Sequence, residues 1–97
     1  MMSRNQALLL RVMEECCEVG QRCSKAMNFG INEVQSGQAK DNAERIPDEF
    51  ADIMGVYKML ADEGILLWPT QEQIDAKAPR VEKYLQLSRE RGMVEPE

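Results

Sequence analysis

Ninety-seven residues fit one domain, and a chain this short buries a smaller share of its surface than a mid-sized one, so a modest core and self-association are expected. An apolar content of 43%, with no apolar run near the roughly 18 residues of a membrane span, excludes a membrane-spanning helix; no secretory signal is read at the N-terminus, and a cytoplasmic protein is expected. The balance of 12 basic against 17 acidic residues, net charge −5, argues against duplex nucleic acid as the main partner, and the absence of histidine leaves acid–base chemistry to carboxylates, lysine, tyrosine, cysteine or metal-bound water.

From Asn5 to about Asn28 there is no proline, and Leu9, Val12, Met13, Cys16, Val19, Gly20, Cys23 and Met27 recur at three- and four-residue steps, which predicts a long amphipathic helix closed by Phe29-Gly30. The three cysteines, Cys16, Cys17 and Cys23, all fall inside this pattern. An odd number with no CxxC pair and no histidine suits neither a disulfide framework nor a zinc site, so they read as small core hydrophobes.

Asn32 to Arg45 is nearly devoid of apolar residues and reads as a long polar connection, the kind that tends to be functional or mobile. A second helix is predicted from Ile46-Pro47 to Gly64, with Asp48 and Glu49 at the positive end of its dipole and an apolar stripe of Phe50, Ile53, Met54, Tyr57, Leu60 and Ala61. Ile65 to Pro69 is a packed connector. Thr70 and Gln73 stand at capping-box spacing and open a third helix, which Pro79 kinks or restarts and which continues through Val81, Tyr84, Leu85 and Leu87 to Gly92; residues 94–97 are expected to fray. The pattern is that of a single all-α domain over residues 1–97.

Two acidic pairs stand out. At about 100° per residue, Glu15 and Glu18 project within about 60° of each other on the first helix, and Glu49 and Asp52 repeat the spacing on the second. If the two helices form an antiparallel hairpin, four carboxylates converge. Such a group repels itself unless protons or cations neutralise it, and ligands that are all oxygen favour Mg²⁺, or Mn²⁺, over zinc or copper. The alternative is a solvated helix face, on which Glu18 with Arg22 is merely a supporting pair.

The strings Glu14-Glu15-Cys16-Cys17-Glu18 and Glu49-Phe50-Ala51-Asp52 resemble the EExxE and ExxD signature of the MazG-like, all-α NTP pyrophosphohydrolase superfamily. Arg22-Cys23-Ser24-Lys25-Ala26, Phe29-Gly30, Asn42 with Arg45-Ile46, and Lys83-Tyr84-Leu85 with Ser88-Arg89 extend the likeness to a small single-domain branch of bacteria and phages, over roughly Leu9 to Val94. The resemblance implies Mg²⁺-dependent hydrolysis of a (deoxy)nucleoside triphosphate to monophosphate and pyrophosphate, as in nucleotide-pool clean-up. It implies Glu15, Glu18, Glu49 and Asp52 as metal ligands, with Glu14 as a further ligand, an orienting group or the base for the attacking water. It also implies a homodimer or homotetramer, in which two long antiparallel helices per subunit build a four-helix core beside a C-terminal helix.

Arg22 and Lys25 are candidate phosphate contacts, with helix-face ion pairing as the alternative. Asn28, Phe29, Asn42, Trp68 and Tyr84 are candidates for base recognition. Lys83 and Arg89 could reach a neighbouring subunit's phosphates or simply face solvent. Two other functions stay open on these residues: a non-catalytic nucleotide- or metal-binding helical module, and a pyrophosphohydrolase for another nucleotide such as phosphoribosyl-ATP.

Overall fold

Ser3 starts the first helix. Its hydroxyl accepts from the Gln6 N–H at 3.2 Å, and the Gln6 side-chain oxygen accepts from the Ser3 N–H at 2.9 Å, a reciprocal cap for the first turn. In the computed structural model, which describes residues 1–97, α1 then runs Arg4–Phe29. Gly30 ends it with φ 108°, a backbone setting that suits a residue without Cβ, and its N–H still reaches the Ala26 carbonyl at 2.9 Å.

Helix α2 is Asn42–Asp62 and so begins four residues before the expected Ile46. Asp41 caps it: its carboxylate accepts from the Glu44 N–H at 2.9 Å, and the Glu44 carboxylate accepts from the Asp41 N–H at 3.2 Å. The polar string Asp41 to Glu44 is thus a capping box and not loop. Pro47 consequently sits inside the helix, where it cannot donate to the Ala43 carbonyl; both residues lie on the exposed face, so water can take that acceptor.

Two shorter helices follow, α3 at Gln71–Asp75, capped by Thr70 and Gln73 as expected, and α4 at Lys77–Glu90. The break between them falls at Ala76, three residues before Pro79, because a proline has no N–H for the Asp75 carbonyl and its ring crowds that oxygen. Beyond Gly92, at φ 72°, the Met93 N–H donates to the Ser88 carbonyl at 2.9 Å and Val94 is half-buried, so the tail expected to fray turns back on α4.

The chain is all-helical, and none of its helices is long and apolar enough to cross a membrane. Helices α1 and α2 form an antiparallel hairpin whose register is pinned at both ends. At the open end the Arg4 guanidinium meets the Glu63 carboxylate at 2.9 Å. At the loop end the fully buried Asn42 amide donates to the Gly30 carbonyl at 2.9 Å, while the backbone N–H groups of Asn42 and Ala43 reach the Glu33 and Ile31 carbonyls at 3.2 and 2.9 Å. The first turn of α2, which has no intrahelical partners for its N–H groups, is therefore satisfied by the connection that leads into it. The polar connection is thus tied at its start and its end.

The apolar stripe read from α1 divides in two. The seam against α2 is Leu8, Val12, Glu15, Val19, Arg22 and Ala26, whereas Leu9, Met13, Cys16, Gly20 and Met27 form a second, exposed stripe. Cys16 and Cys17 are likewise exposed, which corrects their reading as core residues, and Cys23 is half-buried. On α2 the Phe50 and Met54 side chains are open as well, and Leu60 is the one fully buried hydrophobe. Helices α3 and α4 pack on each other and not along the hairpin. The surface of 7718 Å² exceeds the about 5,600 Å² of a compact 11.1 kDa monomer by about 2,000 Å², and the 17.0 Å radius of gyration exceeds the about 12.5 Å of a compact chain.

Asn42 locks the register of the hairpin, so Asn42→Ala strands the Gly30 carbonyl and is expected to cost about 1–3 kcal/mol. Thermal melting should fall by several degrees, and an unchanged melting temperature would remove Asn42 from this role.

Candidate metal centre

Glu15 lies in the hairpin seam because it falls at the three- and four-residue steps of Leu8, Val12, Val19 and Ala26. The antiparallel register sets it opposite the second and third turns of α2, where Glu49 and Asp52 stand one turn apart. One carboxylate oxygen from each of Glu15, Glu49 and Asp52 lies within 4.8 Å of the other two; Glu15 and Glu49 are half-buried and Asp52 is exposed. None of the three makes an ion pair with lysine or arginine.

The electrostatic cost falls on Glu15. Partial removal from water in the seam holds its carboxyl above the ordinary glutamate value of 4.5, and repulsion from Asp52, Glu18 and Glu49 pushes it the same way, against the weaker pull of Arg11. Three all-oxygen donors converging without a counter-charge are the donor set of a hard divalent cation. Mg²⁺ holds oxygens at about 2.1 Å, so adjacent ligands stand about 3.0 Å apart, a separation inside the 4.8 Å bound on these three carboxylates.

The remaining expected residues are distributed differently. Glu18 is exposed at the rim, near enough to bear on Glu15 but outside the cluster of three. Glu14 points to the outer face and pairs with Arg11 at 3.1 Å. Arg22 is buried in the seam two turns along from Glu15. Lys25 lies one turn further and lines a cavity of about 460 Å³ with Phe29, Glu33, Val34, Gln35 and Ser36.

Asn28 folds back to donate to the Ser24 carbonyl at 2.9 Å, and the Asn42 amide is committed to Gly30, so each side chain already has a structural partner. Lys83 stands on α4, which the fold does not bring to the carboxylates. Trp68 packs edge-on to Tyr57 with ring centres 5.5 Å apart, while the Tyr57 hydroxyl donates to the Leu67 carbonyl at 2.6 Å. With Phe50, Ile53, Met54, Pro69 and Ile74 these two rings line an apolar groove of about 330 Å³. Tyr84 is exposed on α4.

No protein-family model matches the chain, and neither does any curated protein or any solved structure.

Because folding raises the affinity of Glu15 for its proton, this group favours the folded state below the ordinary glutamate value and opposes it as pH rises through the elevated folded value. In metal-free buffer Glu15→Gln is therefore expected to melt with the wild type near pH ~4 and above it near pH ~7.5. Adding Mg²⁺ should raise the wild type and leave the variant unmoved. A variant less stable than wild type at neutral pH without metal would show that the carboxylate is not under electrostatic strain.

Proposed function

We propose that the chain is a Mg²⁺-dependent nucleoside triphosphate pyrophosphohydrolase of the MazG-like type, acting on a nucleotide of either sugar. The observation that carries the reading is the convergence of Glu15, Glu49 and Asp52 from two helices within 4.8 Å, with the Glu15 carboxyl raised by partial burial and by its acidic neighbours. These are three of the four metal-ligand positions that the resemblance implies. An acidic cluster alone is common on helical proteins; here the same residues are the ones that carry the motif resemblance.

In this reading Glu15, Glu49 and Asp52 hold the cation and Glu18 closes the site from the rim. A divalent cation held there would lower the pKa of a coordinated water, clamp phosphate oxygens and neutralise charge on the departing group. Water adds to the α-phosphorus, the bond to the α,β-bridging oxygen breaks, and pyrophosphate leaves with that oxygen. The chain has no histidine, and the cluster holds carboxylates and no lysine, tyrosine or cysteine, so a carboxylate is the group placed to take the water's proton. Glu18, which has no cationic partner, is better suited to this than Glu14, which Arg11 engages.

The reading extends to a homodimer. The exposed stripe of Leu9, Met13, Cys16, Gly20 and Met27, the open Phe50 and Met54, and the surplus surface of about 2,000 Å² match what one protomer buries in an extensive obligate interface. Two hairpins packed through these faces make a four-helix core.

Purified protein incubated with NTPs and dNTPs plus Mg²⁺ should release pyrophosphate and the monophosphate. Glu18→Gln and Asp52→Asn should each lower kcat by about 100-fold or more. Release of inorganic phosphate and diphosphate instead would mean the wrong bond was assigned, and full activity in both variants the wrong site. Separately, light scattering at micromolar concentration should return twice the chain mass or a multiple of it; a monomer would defeat the assembly.

A further inference from the structure

Arg22 is the most unusual charge in the molecule. Only 8% of it is exposed, and its Nε and Nη1 atoms are sealed from solvent without a hydrogen-bond partner. None of the five ion pairs includes it. A buried guanidinium left in this state is destabilising, and such a group in a native fold calls for an explanation, an ion or ligand that completes it among them.

The seam in which Arg22 lies already holds carboxylates. Glu15 is two turns, about 10 Å, before it, and a helical side chain leans toward the helix N-terminus, which carries the guanidinium back toward that end. Glu18 stands one turn before Arg22 at ion-pair spacing, yet the pair does not form. The nearby cations are otherwise disposed: Arg45 donates to Gln35 at 3.3 Å, and Lys25 faces the cavity beyond. One seam thus contains a cation-seeking acidic cluster and an anion-seeking guanidinium held apart from each other.

We propose that Arg22 binds the terminal diphosphate of a metal-bound nucleotide, so that charge alternates along the seam from the carboxylates to the divalent cation, then to phosphate oxygens, then to the guanidinium. A diphosphate fits because its oxygens can serve a metal on one side and a planar, two-pronged donor on the other. The identity of the anion rests on the pyrophosphohydrolase reading; the need for one rests on the stranded guanidinium. As the α-phosphorus to bridging-oxygen bond breaks, negative charge grows on the departing pyrophosphate, and Arg22 meets it there. Lys25, facing the neighbouring cavity, is not part of this contact.

The test is calorimetric titration of inorganic pyrophosphate into the full chain with and without Mg²⁺, on wild type, Arg22→Met, Arg22→Gln and Arg22→Lys. Wild type should bind pyrophosphate in the presence of Mg²⁺. Arg22→Met and Arg22→Gln should weaken that binding by about tenfold or more, with Arg22→Lys between them. Binding of Mn²⁺ alone should stay within about twofold, and both neutral variants should melt at or above the wild type in metal- and phosphate-free buffer, because a stranded charge has been removed. A structural ion-pair role predicts the opposite, neutral variants that melt lower and bind pyrophosphate as wild type does, and that result would overturn the inference. Triphosphate turnover together with pyrophosphate binding indifferent to Arg22 overturns it while leaving the hydrolase reading in place; Arg22-dependent pyrophosphate binding without turnover of any triphosphate does the reverse.

Discussion

Everything at the candidate site depends on the register of the α1–α2 hairpin. The acidic cluster exists only because Glu15 on one helix is set opposite Glu49 and Asp52 on the other, and a slip of one residue would rotate Glu15 by about 100° out of the seam. The register is held where a hairpin is most easily lost. The Asn42 amide and two backbone N–H groups tie the start of α2 to the end of α1 and its connection, and Arg4 with Glu63 closes the far end. The second contact is exposed, and an exposed pair contributes little on its own. The buried amide, which cannot be replaced by water, is the stronger of the two restraints.

Given that register, the seam is chemically odd. Of the six α1 positions that face α2, two are ionic, Glu15 and Arg22, and one is alanine. A pair of helices stabilised by packing would place leucine or valine there. Substituting apolar residues for buried charges is often neutral or stabilising, so the folded state alone gives no reason for this choice. Residues that burden the fold and share one seam are the pattern expected where a functional site conflicts with stability.

Much of this was legible in the sequence, and what was not has identifiable causes. Helix-period spacing located α1, Gly30 and the Thr70 cap, and the three-residue spacing within each acidic pair put Glu15, Glu49 and Asp52 on suitable faces. The start of α2 was hidden because Asp41, Asn42, Ala43 and Glu44 carry no apolar residue larger than alanine, so a capping box looked like loop. Pro47 also looked like a first-turn residue when it is an interior one. The division of the α1 stripe was hidden for a different reason. Periodicity finds a face about 100° wide or more, and it cannot tell which edge of that face meets the neighbouring helix. Leu8, Glu15 and Arg22 entered the seam, while Leu9, Met13 and Cys16 were left outside it. Asn42 was ambiguous by residue type, since an amide suits a base edge as well as a backbone carbonyl, and only its burial distinguishes the two.

The proposed site and the proposed assembly are two sides of one allocation of residues. Positions in the seam that carry charge cannot also supply apolar contact, and with Leu60 the single fully buried hydrophobe the hairpin lacks the core that a chain of this size needs. In the proposed dimer the missing contact would come from the outer stripe of α1 and the open face of α2, which are apolar and face water. A second hairpin on those faces would contribute burial without entering the seam, leaving Glu15 and Arg22 free for a cation and its anion. Such an arrangement separates the surface that stabilises the protein from the surface that performs chemistry, although both belong to the same two helices. It also implies that substitutions in the outer stripe should act on the site through the hairpin register, by loosening the helices that hold the three carboxylates together, and not through any contact with the ligand.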